Sequence, residues 1–94
     1  MPEVHFRIRW PDGRVETCYS PSTVIKAFLE VGVSYPVDEF LMRSRDGLRA
    51  ASDRVRAQYG TGCSRAMAQL AAIEAKARTL PNDGTPVLIE AMQF

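Results

Sequence analysis

The first twenty residues alternate. Val4, Phe6, Ile8 and Trp10 fall on one side of an extended chain, and His5, Arg7 and Arg9 on the other. A period of two with one apolar side marks a strand that buries one face. Pro11-Asp12-Gly13 interrupts the run with turn chemistry: proline presets φ and glycine tolerates positive φ. Alternation resumes from Arg14 to Tyr19, with Val15, Thr17 and Tyr19 on one side and Glu16 and Cys18 on the other. The opening segment is therefore predicted to be a β-hairpin.

The period then lengthens to three and four. Ser20-Pro21 starts a helix, with serine as N-cap and proline at the first helical position. Val24, Ile25, Phe28 and Leu29 form its apolar stripe, and Gly32 follows its end. Val33 to Pro36 connects to a longer helix over Val37 to Tyr59, whose buried face is Phe40, Ser44, Leu48, Ala51, Val55 and Tyr59. Arg45, Arg49, Asp53 and Arg56 occupy the opposite face, and Asp46-Gly47 marks a place for a kink or break. Gly60-Thr61-Gly62 ends this helix. A third runs from Ser64 to about Arg78, with Met67, Leu70, Ala71 and Ile73 apolar and Lys76 and Arg78 suiting its negative end. Pro81-Asn82-Asp83-Gly84 is a loop. Thr85 to Phe94 closes as a strand, with Val87, Ile89 and Ala91 opposed to Leu88, Glu90 and Met92.

The order is β-β-α-α-α-β, and the fold class is α+β. The expected architecture is a three-stranded antiparallel sheet, strand order 2-1-3, covered on one face by three helices. Residues 1–94 form one domain. If the helices run back and forth, the first and third start at the same end of the sheet. Cys18 and Cys63 then share that end with Ser20, Ser64 and Tyr59.

Composition narrows the function classes. Twelve basic and eleven acidic residues give a formal charge of +1, without the basic excess of a dedicated nucleic-acid binder. No apolar run approaches the roughly 20 residues that span a bilayer, so no membrane role is expected. The charges in Met1 to Arg7 do not match a secretory leader, and the expectation is a cytoplasmic protein with two free thiols.

The candidate chemistry sits at helix starts. Cys18 and Ser20 precede the first helix, and Cys63 and Ser64 open the third. Unpaired amides and a partial positive charge there favour anions and lower thiol pKa values. Gly60-Thr61-Gly62-Cys63-Ser64 has the form of an anion cradle, although the lysine and spacing of a P-loop are missing. The alternative is a pair of space-filling cysteines and an ordinary helix–helix turn. Catalysis by cysteine calls for a base, and the only histidine, His5, lies on the polar side of the first strand. Two cysteines and one histidine fall short of a four-ligand zinc site, and no cofactor motif is present. The segment from Ala50 to Leu70 has the outline of a helix-turn-helix, yet Arg65 and Gln69 alone are thin for reading bases. The polar sheet face, with His5, Arg7 and Arg9 beside Arg14, Glu16 and Glu90, is a candidate partner face. The apolar stretch Leu88 to Phe94, expected at a sheet edge, is a candidate for self-association.

Five segments carry a resemblance: Phe6-Arg7-Ile8-Arg9-Trp10-Pro11-Asp12-Gly13, Cys18-Tyr19-Ser20-Pro21-Ser22, Tyr35-Pro36-Val37-Asp38-Glu39-Phe40, Ala51-Ser52-Asp53-Arg54-Val55 and Cys63-Ser64-Arg65-Ala66. Together they resemble the small bacterial nitrogen starvation response family first labelled in mycobacteria. That resemblance implies an accessory product of a gene cluster that also encodes a nitrilase, a radical SAM protein, an acetyltransferase and a flavoprotein. It implies a role in nitrogen acquisition from nitriles or cyanide, and it assigns no catalytic residue. The leading reading is a non-enzymatic accessory protein that binds a protein partner or a second copy of itself. The alternatives are a small-anion or thiol site at Cys18, Ser20, Cys63 and Ser64, and a small DNA-binding regulator.

Overall fold

The computed structural model describes residues 3–81 and 83–94. Val4–Arg9 (β1) and Val15–Ser20 (β2) form the expected antiparallel hairpin, closed by Trp10 N–H to Arg14 O at 2.8 Å and Gly13 N–H to Trp10 O at 2.9 Å. The buried side of β1 is Val4, Phe6, Ile8 and Trp10, as the alternation requires. On β2 the core side is Cys18 and Ser20, because Cys18 stands opposite Phe6 and Ser20 opposite Val4. Glu16 shares that side opposite Ile8, so it does not belong to the face of Arg7 and Arg9.

The first expected helix is shorter and of another kind. Only Thr23–Ala27 winds, as a 3-10 segment, and Ser22 rather than Ser20 caps it by accepting the Val24 N–H at 3.3 Å. Thr23, Val24 and Ile25 are β-branched, and their stiff side chains do not favour a long helix. Ser20 Oγ donates to Ser22 O at 2.8 Å and so shapes the corner instead. The chain then turns at Gly32 (φ 86°), whose N–H donates to Ile89 O, and Val33 O accepts the Ile89 N–H. The connector itself becomes a strand, Ser34–Tyr35 (β3), since Pro36 pushes the residue before it towards extended backbone.

Val37–Tyr59 (α1) is continuous through Gly47. The glycine there serves close packing. A β-carbon on it would lie 2.5 Å from Ile25 Cδ1 and 3.2 Å from Phe28 Cβ, so its absence lets the 3-10 segment seat against the helix. Gly60 ends α1 in the left-handed region (φ 88°), donating to Arg56 O. Tyr59, expected on the buried face, is 62% exposed in the last residue of the helix. Ser64–Arg78 (α2) folds back along α1. The antiparallel pair is clasped by Arg45 to Glu74 at 3.0 Å and by Cys63 N–H to Ser52 Oγ at 3.0 Å.

Val87–Gln93 (β4) lies beside β1, antiparallel, as expected for the last strand. The sheet order is β2-β1-β4-β3. Among the described residues the fold is thus α+β with four antiparallel strands and two α-helices, which corrects the expected three strands and three helices. Because β3 and Gly32–Val33 line the far side of Val87–Ile89, that part of β4 is interior rather than an edge. A bulge at Glu90 of β4, opposite the step from Arg7 to Ile8 of β1, also shifts the register. Ile8 faces Ile89 but Arg7 faces Ala91, so beyond the bulge Met92 turns to the core and Ala91 to the outer face. The core lies between the inner sheet face and the helices. Trp10 meets Phe40 edge-on at 5.5 Å, with Leu48, Ala66, Leu70 and Ile73 completing the layer. Asn82 of the expected loop lies outside the described residues.

Candidate functional site

The helix hairpin leaves a groove where its two arms meet. Arg49, Ser52, Asp53 and Arg56 of α1 line one wall. Gly62, Cys63, Ser64 and Met67 line the other, around a volume of about 370 Å³. Arg49, Asp53 and Arg56 recur at four- and three-residue intervals, so all three project from one helix face. Gly62 makes the tight approach: a β-carbon there would stand 2.8 Å from Ser52 Oγ and 3.1 Å from an Arg56 guanidinium nitrogen. The buried Ser52 accepts the Cys63 N–H and fixes the start of α2 against α1. Cys63 occupies the N-cap position without a side-chain cap bond, half-buried at the groove wall.

The groove brings two guanidiniums together on one wall. Arg7, Arg9, Arg43 and Arg45 each bond a carboxylate at 3.1 Å or less. Among the described residues Arg49 and Arg56 form no ion pair, although Asp53 stands between them. A guanidinium without a carboxylate partner keeps its fork of donors free for a carboxylate or phosphate.

The four residues expected to share a site separate into two pairs. Cys63 and Ser64 line the groove. Cys18 and Ser20 face the core and are fully buried. Burial, with the charge of Glu16 as a smaller cause, pushes the Cys18 thiol up from 9.0 to about 12, so it stays protonated near neutral pH. Both cysteines are free thiols. The end of β2 does meet the start of α2, but through Tyr19: the Arg65 guanidinium stacks on its ring at 3.9 Å, and Gln69 Oε1 accepts its N–H at 3.0 Å. Burial first, and the nearby Cys63 second, push the Tyr19 phenol above its usual 10, against the pull of Arg65. Arg65 and Gln69, the two side chains a recognition helix would offer to DNA, are thus both engaged within the fold.

His5, Arg7 and Arg9 share the outer sheet face. The His5 ring is 6.0 Å from that of Tyr19, and its Nε2 is 3.8 Å from Glu3. It lies across the sheet from the core-facing thiol of Cys18. Arg7 and Arg9 both bind Glu90, at 3.1 and 2.7 Å, and Arg9, with Arg7 beside it, holds the Glu90 carboxyl below its usual 4.5. This face therefore carries two guanidiniums already matched to one carboxylate. The groove residues Arg49, Asp53 and Arg56 were expected only as a polar helix face and Met67 only as an apolar position, and neither they nor Ser52 were expected at a site. Their signal was the Arg49, Asp53, Arg56 spacing immediately before a Gly-Thr-Gly reversal, which turns the polar face of one helix towards the start of the next.

Among the described residues, no group of three or more histidine, cysteine or carboxylate side chains is placed to hold a metal ion, and no helix is long and apolar enough to cross a membrane. No curated protein and no solved structure matches the chain. The family model of the nitrogen starvation-induced protein NitG matches residues 5–92, which takes in the groove, both sheet faces and both helices. The chain belongs to the NitG family of nitrogen starvation-induced proteins.

Proposed function

We propose that this protein is a non-enzymatic accessory factor of the nitrogen starvation response, and that it works by receiving an acidic group of a protein partner in the groove between α1 and α2. The observation that carries the reading is the pair of groove arginines, Arg49 and Arg56, which line one groove and form no ion pair among the described residues, whereas Arg7, Arg9, Arg43 and Arg45 do. Met67 and the Cys63 side chain give the same groove an apolar wall. An acidic residue followed by a small apolar one matches that lining. The groove is favoured over the face of His5, Arg7 and Arg9 because Glu90 already engages both of those arginines. The resemblance to products of nitrilase-containing gene clusters directs the search for the partner to cluster-encoded proteins of nitrile-linked nitrogen metabolism. A small anion at Cys63 and Ser64 would use the same groove.

The test is affinity capture from nitrogen-starved cells with identification of the captured proteins by mass spectrometry. A cluster-encoded protein enriched by the wild-type chain should be lost with Arg49→Ala plus Arg56→Ala and kept with Arg7→Glu plus Arg9→Glu. The reverse pattern would transfer the site to the sheet face. Enrichment unaffected by the groove pair would reject the groove.

A further inference from the structure

The outer edge of β2 is covered at its two ends and open between them. The pairing with β1 sets which backbone groups point outward. The Trp10 N–H donates to Arg14 O, which sets the phase of the ladder, so along β2 the groups of Val15, Thr17 and Tyr19 face away from β1. The Tyr19 N–H confirms this by bonding to Gln69 Oε1 of α2. Helical spacing puts Arg65, Gln69, Ala72 and Lys76 in one row beside this edge. Arg65 covers the Tyr19 ring, Gln69 takes its amide, and Lys76 reaches Asp12 in the hairpin turn at 2.6 Å. Ala72 is the one short side chain in the row. Opposite the gap stand Val15, 43% exposed, and Thr17. An exposed strand edge with unpaired amides and carbonyls is a template for another strand.

We infer that this edge is the surface through which two copies of the chain pair, β2 against β2, antiparallel about a two-fold axis at Val15. Outward-facing residues must pair with outward-facing residues, which leaves three central registers. With Val15 opposite Thr17 of the second copy, Glu16 faces Glu16, and like charges directly opposite oppose pairing. With Thr17 opposite Thr17, Glu16 faces Cys18 of the second copy and no opposite-charge pair forms. With Val15 opposite Val15, each Arg14 faces Glu16 of the second copy, so the contact gains two opposite-charge pairs and a valine pair and leaves the Gln69 cap intact; Thr17 then faces Gly13, whose N–H and O are held by Trp10 and Arg9, so the backbone bonds across the contact are those of the Val15 pair. Arg14 is available for this, being 79% exposed and only 3.9 Å from Asp12 at its nearest. The symmetry is isologous and closes at two copies. The paired segments are short, so the dimer is weak and concentration-dependent. This contact is separate from the groove, and its failure would leave the reading of the groove unaffected.

Sedimentation velocity over a wide concentration range, combined with amide hydrogen exchange, tests it. The wild-type chain should pass from monomer to dimer, and the Val15 amide, open in the monomer, should exchange more slowly as dimer forms. Glu16→Arg places like charges opposite at both positions and should weaken dimerisation by about tenfold. Arg14→Glu together with Glu16→Arg restores both pairs and should recover the wild-type behaviour. A chain that stays monomeric throughout overturns the inference and leaves the edge to a strand of another protein. A dimer insensitive to Glu16→Arg, a double variant that fails to recover, or a dimer with no slowing at Val15 overturns it equally.

Discussion

Gly47→Ala sets two effects of opposite sign against each other. In an exposed helix interior the change stabilises by about 1 kcal/mol, because glycine loses more backbone freedom than alanine. At this site the new β-carbon would stand 2.5 Å from Ile25 Cδ1, 3.2 Å from Phe28 Cβ and 3.3 Å from Phe28 Cδ2. Ile25 is fully buried, so its terminal methyl has no free space to enter. Overpacking of a tight core costs about 1–3 kcal/mol. The overpacking wins, and the variant should be destabilised by up to about 2 kcal/mol. Ile25→Val removes the offending methyl and by itself should cost about 0.5–1.5 kcal/mol. In the Gly47→Ala background it also relieves the clash, so the double variant should be more stable than the sum of the singles by about 1 kcal/mol. Urea unfolding followed by helical circular dichroism measures all four corners of this cycle, with an unchanged m-value showing that the transition remains comparable. Stabilisation of Gly47→Ala by about 1 kcal/mol, or additivity within about 0.5 kcal/mol, would refute the packing of the 3-10 segment against α1.

Three further outcomes follow from buried and charged groups. Ser44 is fully buried in α1 and its hydroxyl has no partner among the described residues, so Ser44→Ala should raise the urea midpoint, by removing an unpaired polar atom and by better helix propensity, to the extent of about 1 kcal/mol; a loss of stability would mean the hydroxyl is bonded. A charged alkylating reagent at pH 8 should modify Cys63 in the folded chain and Cys18 only after unfolding; since the folded thiol of Cys18 is raised from 9.0 to about 12, its contribution to stability is complete below about pH 9 and should fall away as pH rises towards 12, less so in Cys18→Ala. Asp12, lowered below 3.8 first by its bond to Lys76, and Glu90, lowered below 4.5 first by Arg9, should each lend stability that is present above those values and lost as pH falls through the lower folded ones; Lys76→Met should flatten the acid limb of a stability profile, and an unchanged limb would reject the pairing with Asp12.

Much of the groove was present in the sequence as separate signals. Cys63 and Ser64 were legible as the opening of a helix, because a Gly-Thr-Gly breaker followed by a serine has few other local readings. Arg49, Asp53 and Arg56 were legible as one polar face. That the reversal swings this face round to Cys63 depends on the Ser52 hydroxyl reaching the Cys63 amide across eleven positions of sequence, and no local pattern encodes such a contact. Cys18 shows the opposite case. Its place before a serine-proline corner looks like a helix start, but the β-branched run after it shortens the helix and the pairing with Phe6 turns the thiol into the core.

Local sequence alone determined the hairpin and the two long helices. Alternation, turn residues and helical stripes act over a few residues, so they need no tertiary information. The tertiary structure decided the rest. β3 exists because β4 offers it backbone partners, and two residues have no strand signal of their own. The bulge opposite Arg7 reverses which side of β4 is buried, so a perfect period of two misassigns Ala91 and Met92. Gly47 is permissive of close packing rather than of a kink because Ile25 and Phe28 arrive beside it. Whether an arginine is free or paired is likewise a property of the fold. Arg7 and Arg9 find Glu90 more than eighty positions away, while Arg49 and Arg56 line a groove. Charge is written in the sequence, but its compensation is a matter of distance in space.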